Sequence, residues 1–356
     1  MAPDKINTSE LRLGQEYPEP DEKEVAEYTL QLLKDEMQRY YPGKETKQLR
    51  QIHPKMNGCV KAEFIVELNL SEELKVGLFK EAKKYPAWIR FSNGNTHPVP
   101  DWKKDIRGFA IKLMNVPGEK LEVSKNQDFI LMNTRGFVAH DVGQFARVLF
   151  AVTTPWVFST LLKKIGIIFS SIPIIIRGKV KAPVKIKNPA EIPYFSTVPY
   201  RFGDESRAVK YAVFPSQLND GKLVTDAKKS KDMIRENFVA TLRKQEIYFD
   251  FKIQFQEDPV KMPIEDPTVD WKSDFIKVAT IRIPRQEFDN EEQNKLGDNL
   301  SLNVWHSLPE HRPIGNFNRV RKIIYDGMYK FRHDHNGVMD IDPEASADFF
   351  DNTNIN

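Results

Sequence analysis

The chain has 356 residues, 40% of them hydrophobic, enough for one large or two ordinary domains with a sizeable core. Its 53 basic and 50 acidic residues give a net charge of +3 and are mostly interspersed, so no general nucleic-acid surface is expected. The single cysteine, Cys59, excludes an internal disulfide and suits a reducing compartment, so a cytoplasmic location is expected. The N-terminal stretch lacks the apolar core of a secretory signal. No internal repeat, phosphate-binding glycine loop, paired-cysteine motif or HExxH is present.

In chain order, residues 1–20 read as an arm. Asp21 to Tyr41 reads as a helix opened by acidic residues, with Val25, Tyr28, Leu32 and Leu33 on its apolar side, so that 1–44 form an arm and helix. Val60 to Leu68 alternates apolar and polar residues, as a half-buried strand does. Trp88–Ser92, Arg107–Leu113 and Phe129–Met132 are further short strands, split by turn-rich pieces such as Asn93-Gly94-Asn95. Strands at this spacing favour an antiparallel barrel or sandwich, and with the helices an α+β protein. Residues 142–190 form an apolar and basic helical insertion, and the acidic tail 338–356 is expected to be disordered.

The stretch from Arg319 to Gly337 carries the chemistry. Arg321, Tyr325, Tyr329 and Arg332 are spaced to share one stripe of a helix. One turn from a guanidinium a phenol's anionic form is favoured, and a ferric ion on the oxygen would favour it further. A solvated helix face is the plainer alternative. Two more pairs precede it: His53 follows Arg50 by three residues, and Arg90 and Ser92, two apart, share a strand face. Read singly, each could be a surface cation or a satisfied histidine. The remaining histidines show no metal-ligand spacing.

Together these pieces resemble the catalase superfamily. The Arg-x3-Tyr-x6-Arg pattern of Arg321, Tyr325 and Arg332 resembles that family's proximal haem helix. Arg50-x-x-His53, the Arg90-Phe91-Ser92 run and the Arg107-Gly108-Phe109-Ala110 core of residues 104–113 resemble its distal side. Ile247–Phe255, Trp271–Pro284 and Glu291–Gly315 resemble its closing barrel strands and the segment that wraps into the proximal helix. The resemblance spans residues 45–337, with five motifs in family order. It implies a haem b whose iron is ligated by Tyr325 with Arg321 against the phenolic oxygen, and whose propionates meet Arg50, Arg90 and Arg332. It further implies His53 as the distal acid–base group, Ser92 orienting its ring, and Asn126 holding the peroxide. Lys125 departs from the second asparagine that the family often has there. No flavodoxin-like C-terminal domain is recognisable, so the chain looks like the small catalase-related branch.

The activity so implied is that of a haem-dependent oxidoreductase on peroxides, as catalase or peroxidase, with hydrogen peroxide or an organic hydroperoxide as substrate. One alternative is a fatty-acid hydroperoxide isomerase resembling allene oxide synthases, against which Ile52 before His53 argues. Another is a non-enzymatic haem or lipid carrier, against which retention of both His53 and Asn126 argues. Oligomerisation stays open. From Val142 to Ala190 there is no acidic residue, and the uncharged runs Val148–Leu162 and Ile165–Ile176 are each shorter than the ~20 residues that a spanning helix needs. This segment is expected to lie along an anionic membrane surface, to make the protein peripheral, and to favour lipid hydroperoxides.

Overall fold

The computed structural model describes residues 8–153, 167 and 184–350. Among these residues, nine antiparallel strands make one sheet: β1 (Lys55–Val66), β2 (Lys84–Asn93), β3 (Arg107–Leu113), β4 (Gln127–Met132), β5 (Tyr194–Phe195), β6 (Tyr200–Phe202), β7 (Asp204–Pro215), β8 (Ile247–Phe255) and β9 (Phe275–Ile283). Pairing of β5 with β7 at Tyr194–Val213 and Phe195–Ala212 closes eight of them into a barrel, with β6 added outside on β7. Closure removes the open edges that an isolated sheet would present.

The alternation read in β1 puts Val60, Ala62, Phe64 and Val66 inside. Phe64, Phe129 and Phe251 meet there with ring centroids 5.0 Å apart for the Phe64–Phe251 and Phe129–Phe251 pairs, and Phe91 meets Phe109 at 4.8 Å. The barrel is therefore a packed aromatic core, and any large site must lie outside its wall. Leu68 falls beyond the end of β1 and is 80% exposed.

The helices among the described residues are α1 (Glu22–Tyr40), α2 (Val142–Thr153), α3 (Met233–Lys244), α4 (Glu291–Asn299) and α5 (Asn316–Asn336). In α1 the buried stripe is Ala26, Thr29, Leu33 and Met37, whereas Tyr28 turns outward at 48% exposure, because α2 and α5 set which face is covered. Leu32, Leu33 and Leu149 form a cluster joined by Phe150, Ile324 and Met328. Gly327 of α5 lies so near Leu30 that a Cβ there would overlap it. Gly337, at φ 62°, ends α5 in the left-handed conformation that favours glycine.

Both described ends of the chain are tied to the body, and for the tail this corrects the disorder expected from the sequence. From Thr8 onward the arm is stitched to the body: Gly14 N–H donates to Gln256 Oε1 at 2.8 Å, and Arg319 of α5 binds Glu16, Glu22 and Glu265 at 2.6, 2.5 and 2.9 Å. The acidic tail is likewise ordered in its described part, 338–350. It crosses the barrel wall as a strap, Asp342 accepting from Ser124 Oγ and Lys125 N–H and Phe349 packing edge-on against Trp88 at 5.3 Å. Apolar anchors such as Phe349 outweigh the tail's charge. Of the 142–190 insertion, Val142–Thr153 is a helix packed against α1 and α5, and the backbone of 184–190 is tied to the body while Lys185 and Lys187 stay exposed. Residues 154–166 and 168–183, which hold most of the two uncharged runs, lie outside the described residues.

Candidate functional site

The register of β2, β3 and β4 builds half of the site. Ser92, Gly108 and Met132 make one row across the outer face of the barrel, and Arg90, Ala110 and Ile130 make the next. Over these rows, and under α1, α2 and α5, lies a cavity of about 400 Å³. His53, Arg50, Arg90 and Ser92 line its barrel side, and Arg321, Tyr325, Tyr329 and Arg332 its α5 side. Seven of the eight residues expected to form the site thus share one cavity, although they come from distant parts of the chain.

His53 is held tightly. Its backbone has φ 62°, its carbonyl accepts from Arg90 at 2.9 Å, and its Nδ1 lies 3.0 Å from Ser92 Oγ. Gly108 lies under the ring: a Cβ there would stand 2.6 Å from His53 Nδ1 and 2.7 Å from Ser92 Oγ. This leaves Nε2 to the cavity. Burial, then the charges of Arg90, Arg50 and Arg321, lower the imidazole to about 3, so His53 is neutral at pH 7 and a weakened base while those charges stand unopposed.

Across the cavity, Tyr325 is half-buried on α5, and the Arg321 guanidinium lies 5.9 Å from its ring centroid while donating to Asn318 Oδ1 at 3.2 Å. Tyr329 on the same stripe is instead engaged by Asp340 of the strap and stacks on His333 at 3.9 Å. Of the two phenols lining the cavity, Tyr325 is the one that no carboxylate engages among the described residues.

At one edge three guanidiniums converge. Arg50 donates to Leu300 O at 2.5 Å, Arg90 to Gly297 O at 3.1 Å and Arg332 to Asp298 O at 2.6 Å. These are neutral carbonyls. The nearby Asp298 carboxylate is already paired with Lys47, and Arg50 Nε is buried with no hydrogen-bond partner among the described residues. Burial, then the Arg50 charge, lowers Arg90 and Arg332 to about 9. Packed cations that lower one another in this way call for an anion between them. A ligand carrying two carboxylates on an apolar body would meet that demand, since Ile130, Val320, Ile324 and Met328 line the cavity beside these cations.

Asn126 does not belong to this group. Gln127 pairs with Leu113 at the far end of β4, whereas Met132 pairs with Gly108 at the His53 end. Six residues of strand, roughly 20 Å, therefore separate Asn126 from the histidine. Its side chain is fully buried, Oδ1 accepting from Asn115 N–H at 3.1 Å and Nδ2 donating to Asp342 at 2.5 Å and Pro343 O at 2.9 Å. Asn126 thus anchors the strap and cannot hold a peroxide beside His53. Sequence reasoning also missed Gly108 as the floor beneath the imidazole, and Met37 and Phe145 as lining from α1 and α2. Glycine in a strand is a known sign of close approach; for Met37 and Phe145 no local sign exists.

No family model matches the sequence, and no curated protein matches it. Solved structures do match in fold. A bacterial catalase is 18% identical at a TM-score of 0.59, the alignment covering 81% of this chain and 58% of that one. A fungal catalase and catalase A from Saccharomyces cerevisiae are each 17% identical at 0.59 over 81% of this chain, with 60% and 62% of theirs covered. The chain therefore spans about three-fifths of the length of these catalases. With its closed eight-stranded antiparallel barrel and the helices laid over it, the chain has a catalase-like fold.

Proposed function

We propose that the protein binds haem b and acts on peroxides with catalase- or peroxidase-type chemistry. The observation that carries this reading is the His53–Ser92 pair facing Tyr325 across one cavity edged by Arg50, Arg90 and Arg332. Tyr325 would hold the iron, and the three guanidiniums the propionates. Bound there, the haem supplies two-electron cleavage of a peroxide O–O bond.

The chain's own work is to bind, orient and move a proton. Neutral His53 accepts the hydroperoxide proton at Nε2 and returns it to the departing oxygen, while Ser92 and the Gly108 floor keep the ring edge-on to the cavity. With Asn126 under the strap, no amide from the start of β4 reaches the peroxide. Its orientation falls to shape: Met132, Phe137, Val142 and Phe145 offer an apolar wall that suits an organic hydroperoxide better than hydrogen peroxide. The loss of Asn126 also removes one of two grounds against a haem carrier, and the His53–Ser92 pair is the ground that stays.

Titration of the purified protein with hemin tests the reading. A ferric spectrum whose charge-transfer bands are lost in Tyr325→Phe is expected. Absence of uptake by the parent, or an unchanged spectrum in the variant, removes it. Oxygen evolution from hydrogen peroxide, set against oxidation of an added phenol with cumene hydroperoxide, then separates catalase from peroxidase.

A further inference from the structure

We propose that the face built from residues 102–104, 185–187 and 228–231 is a docking surface for an anionic lipid bilayer. Three loops meet here. Asp105 and Val184 form an antiparallel bridge, with N–H to O distances of 3.3 and 3.0 Å, which brings Lys103 and Lys104 beside Lys185. The buried Asn237 amide then clamps two loops at once, Nδ2 donating to Lys187 O and Oδ1 accepting from Ala227 N–H, both at 2.9 Å. Lys229 lies 5.1 Å from the centroid of the Trp102 ring, and Asp101 N–H donates to Lys231 O at 3.0 Å.

Lys103, Lys104, Lys185, Lys187, Lys228, Lys229 and Lys231 are all exposed. None forms an ion pair among the described residues, whereas the acidic Asp232 nearby is taken by Lys55 at 3.1 Å. Glu191, Asp220 and Asp226 are the other exposed carboxylates on these loops, and Glu236 at the start of α3 accepts from Ser230 Oγ, so the seven cations prevail. A rigid backbone mosaic that crowds unpaired ammonium groups costs repulsion, which an external anion relieves.

The chemistry selects the kind of anion. All seven are lysines, point charges that suit a diffuse anionic surface; arginine forks, which read phosphates and bases bidentately, are missing from the set. Trp102 adds a ring of the kind that settles at headgroup level. The chain reaches this face at Val184 directly from residues 154–183, whose sequence contains no acidic residue and is dominated by Ile, Val, Leu and Phe. The face also adjoins the cavity: Ile106, next to the bridged Asp105, lines it, and so does Gly94, whose N–H donates to Ile106 O at 2.8 Å. Docking would turn the cavity wall toward lipid. This inference rests on the lysine mosaic and does not depend on haem.

Sedimentation of the full chain with vesicles of phosphatidylcholine alone, or of phosphatidylcholine mixed equally with phosphatidylglycerol, is the test. Binding to the anionic vesicles only, weakened by added salt, is expected. Changing Lys103, Lys104, Lys228 and Lys229 together to Gln should lower the partition coefficient at least ~100-fold, since each lysine near an anionic leaflet is worth about fivefold. Thermal melting of the variant checks that it folds, and the single changes provide the same readout if the combination does not. Equal binding to both vesicle types, equal binding by parent and lysine variants, or retention on a DNA duplex but not on vesicles would each overturn the proposal.

Discussion

His53 concentrates several costs in one residue: φ 62° on a non-glycine backbone, a buried ring, and three guanidiniums near it. Such backbone strain costs about 1–3 kcal/mol and persists where the surroundings over-determine it. Gly108→Ala should therefore displace the ring from Ser92 without touching Tyr325. We expect peroxide turnover to fall on the order of 10²-fold, as in His53→Ala, with the hemin spectrum retained; turnover equal to the parent's would remove the assigned role of the ring. His53 and His311 are both lowered to about 3, foremost by burial. A histidine depressed on folding contributes stability that is full above about pH 6.5 and is lost as the pH falls toward about 3, because only the unfolded chain takes up the proton. As the pH falls below about 6.5, urea titrations should show stability dropping with a slope that steepens to about 1.4 kcal/mol per pH unit for each histidine by roughly pH 5. A flat profile would show that the rings are protonated in the folded state. Residue types at the site were legible because Arg321–Tyr325, Arg50–His53 and Arg90–Ser92 each form a pattern within a few residues, and the family resemblance joined them. The floor under His53 was not, since it depends on β3 passing beneath a loop.

At the scale of elements, α5 is both the wall of the cavity and the partner of α1, and Gly327 sets how closely the two approach. Gly327→Leu should force them apart at a cost of about 1–3 kcal/mol and weaken hemin binding through the displaced Tyr325. A variant with unchanged melting and hemin affinity would show that the contact sets no spacing. Strand and helix ranges were largely readable: Arg107–Leu113 and Ile247–Phe255 are strands over those same residues, and the helix stop at Gly337 holds. Alternation and terminal glycine are local signals. The exposed face of α1 was misread at Tyr28 because a helix bearing apolar residues on two sides does not say which neighbour will cover it.

In the whole molecule, the strap and the cavity share the outer face of β2–β4. The upper rows face the cavity, while the row of Trp88, Lys112 and Asp128 lies under residues 338–350. Lys112 is fully buried between Asp128 at 2.8 Å and Asp342 at 3.5 Å. Truncation after Gly337 should uncover Trp88 and Met114 and leave Asn126 and Lys112 without Asp342. A loss of about 3 kcal/mol or more follows from the bared apolar surface and the broken buried charge contact. Denaturation of the truncated chain checks this, and stability equal to the full chain's would mean that the strap is loosely held.

By itself the sequence determined the strands, the α5 stripe and the catalase-like order of motifs, because each rests on residues within one or two turns or on alternation along one strand. The tertiary structure decided which of them meet. It joined His53, Ser92 and Tyr325 across one cavity and sent Asn126 to the opposite end of β4, since register converts a difference of six residues into roughly 20 Å. It also turned an acidic tail into a strap, because the energy of burying Phe349 against Trp88 depends on a surface that no stretch of the tail's own sequence describes.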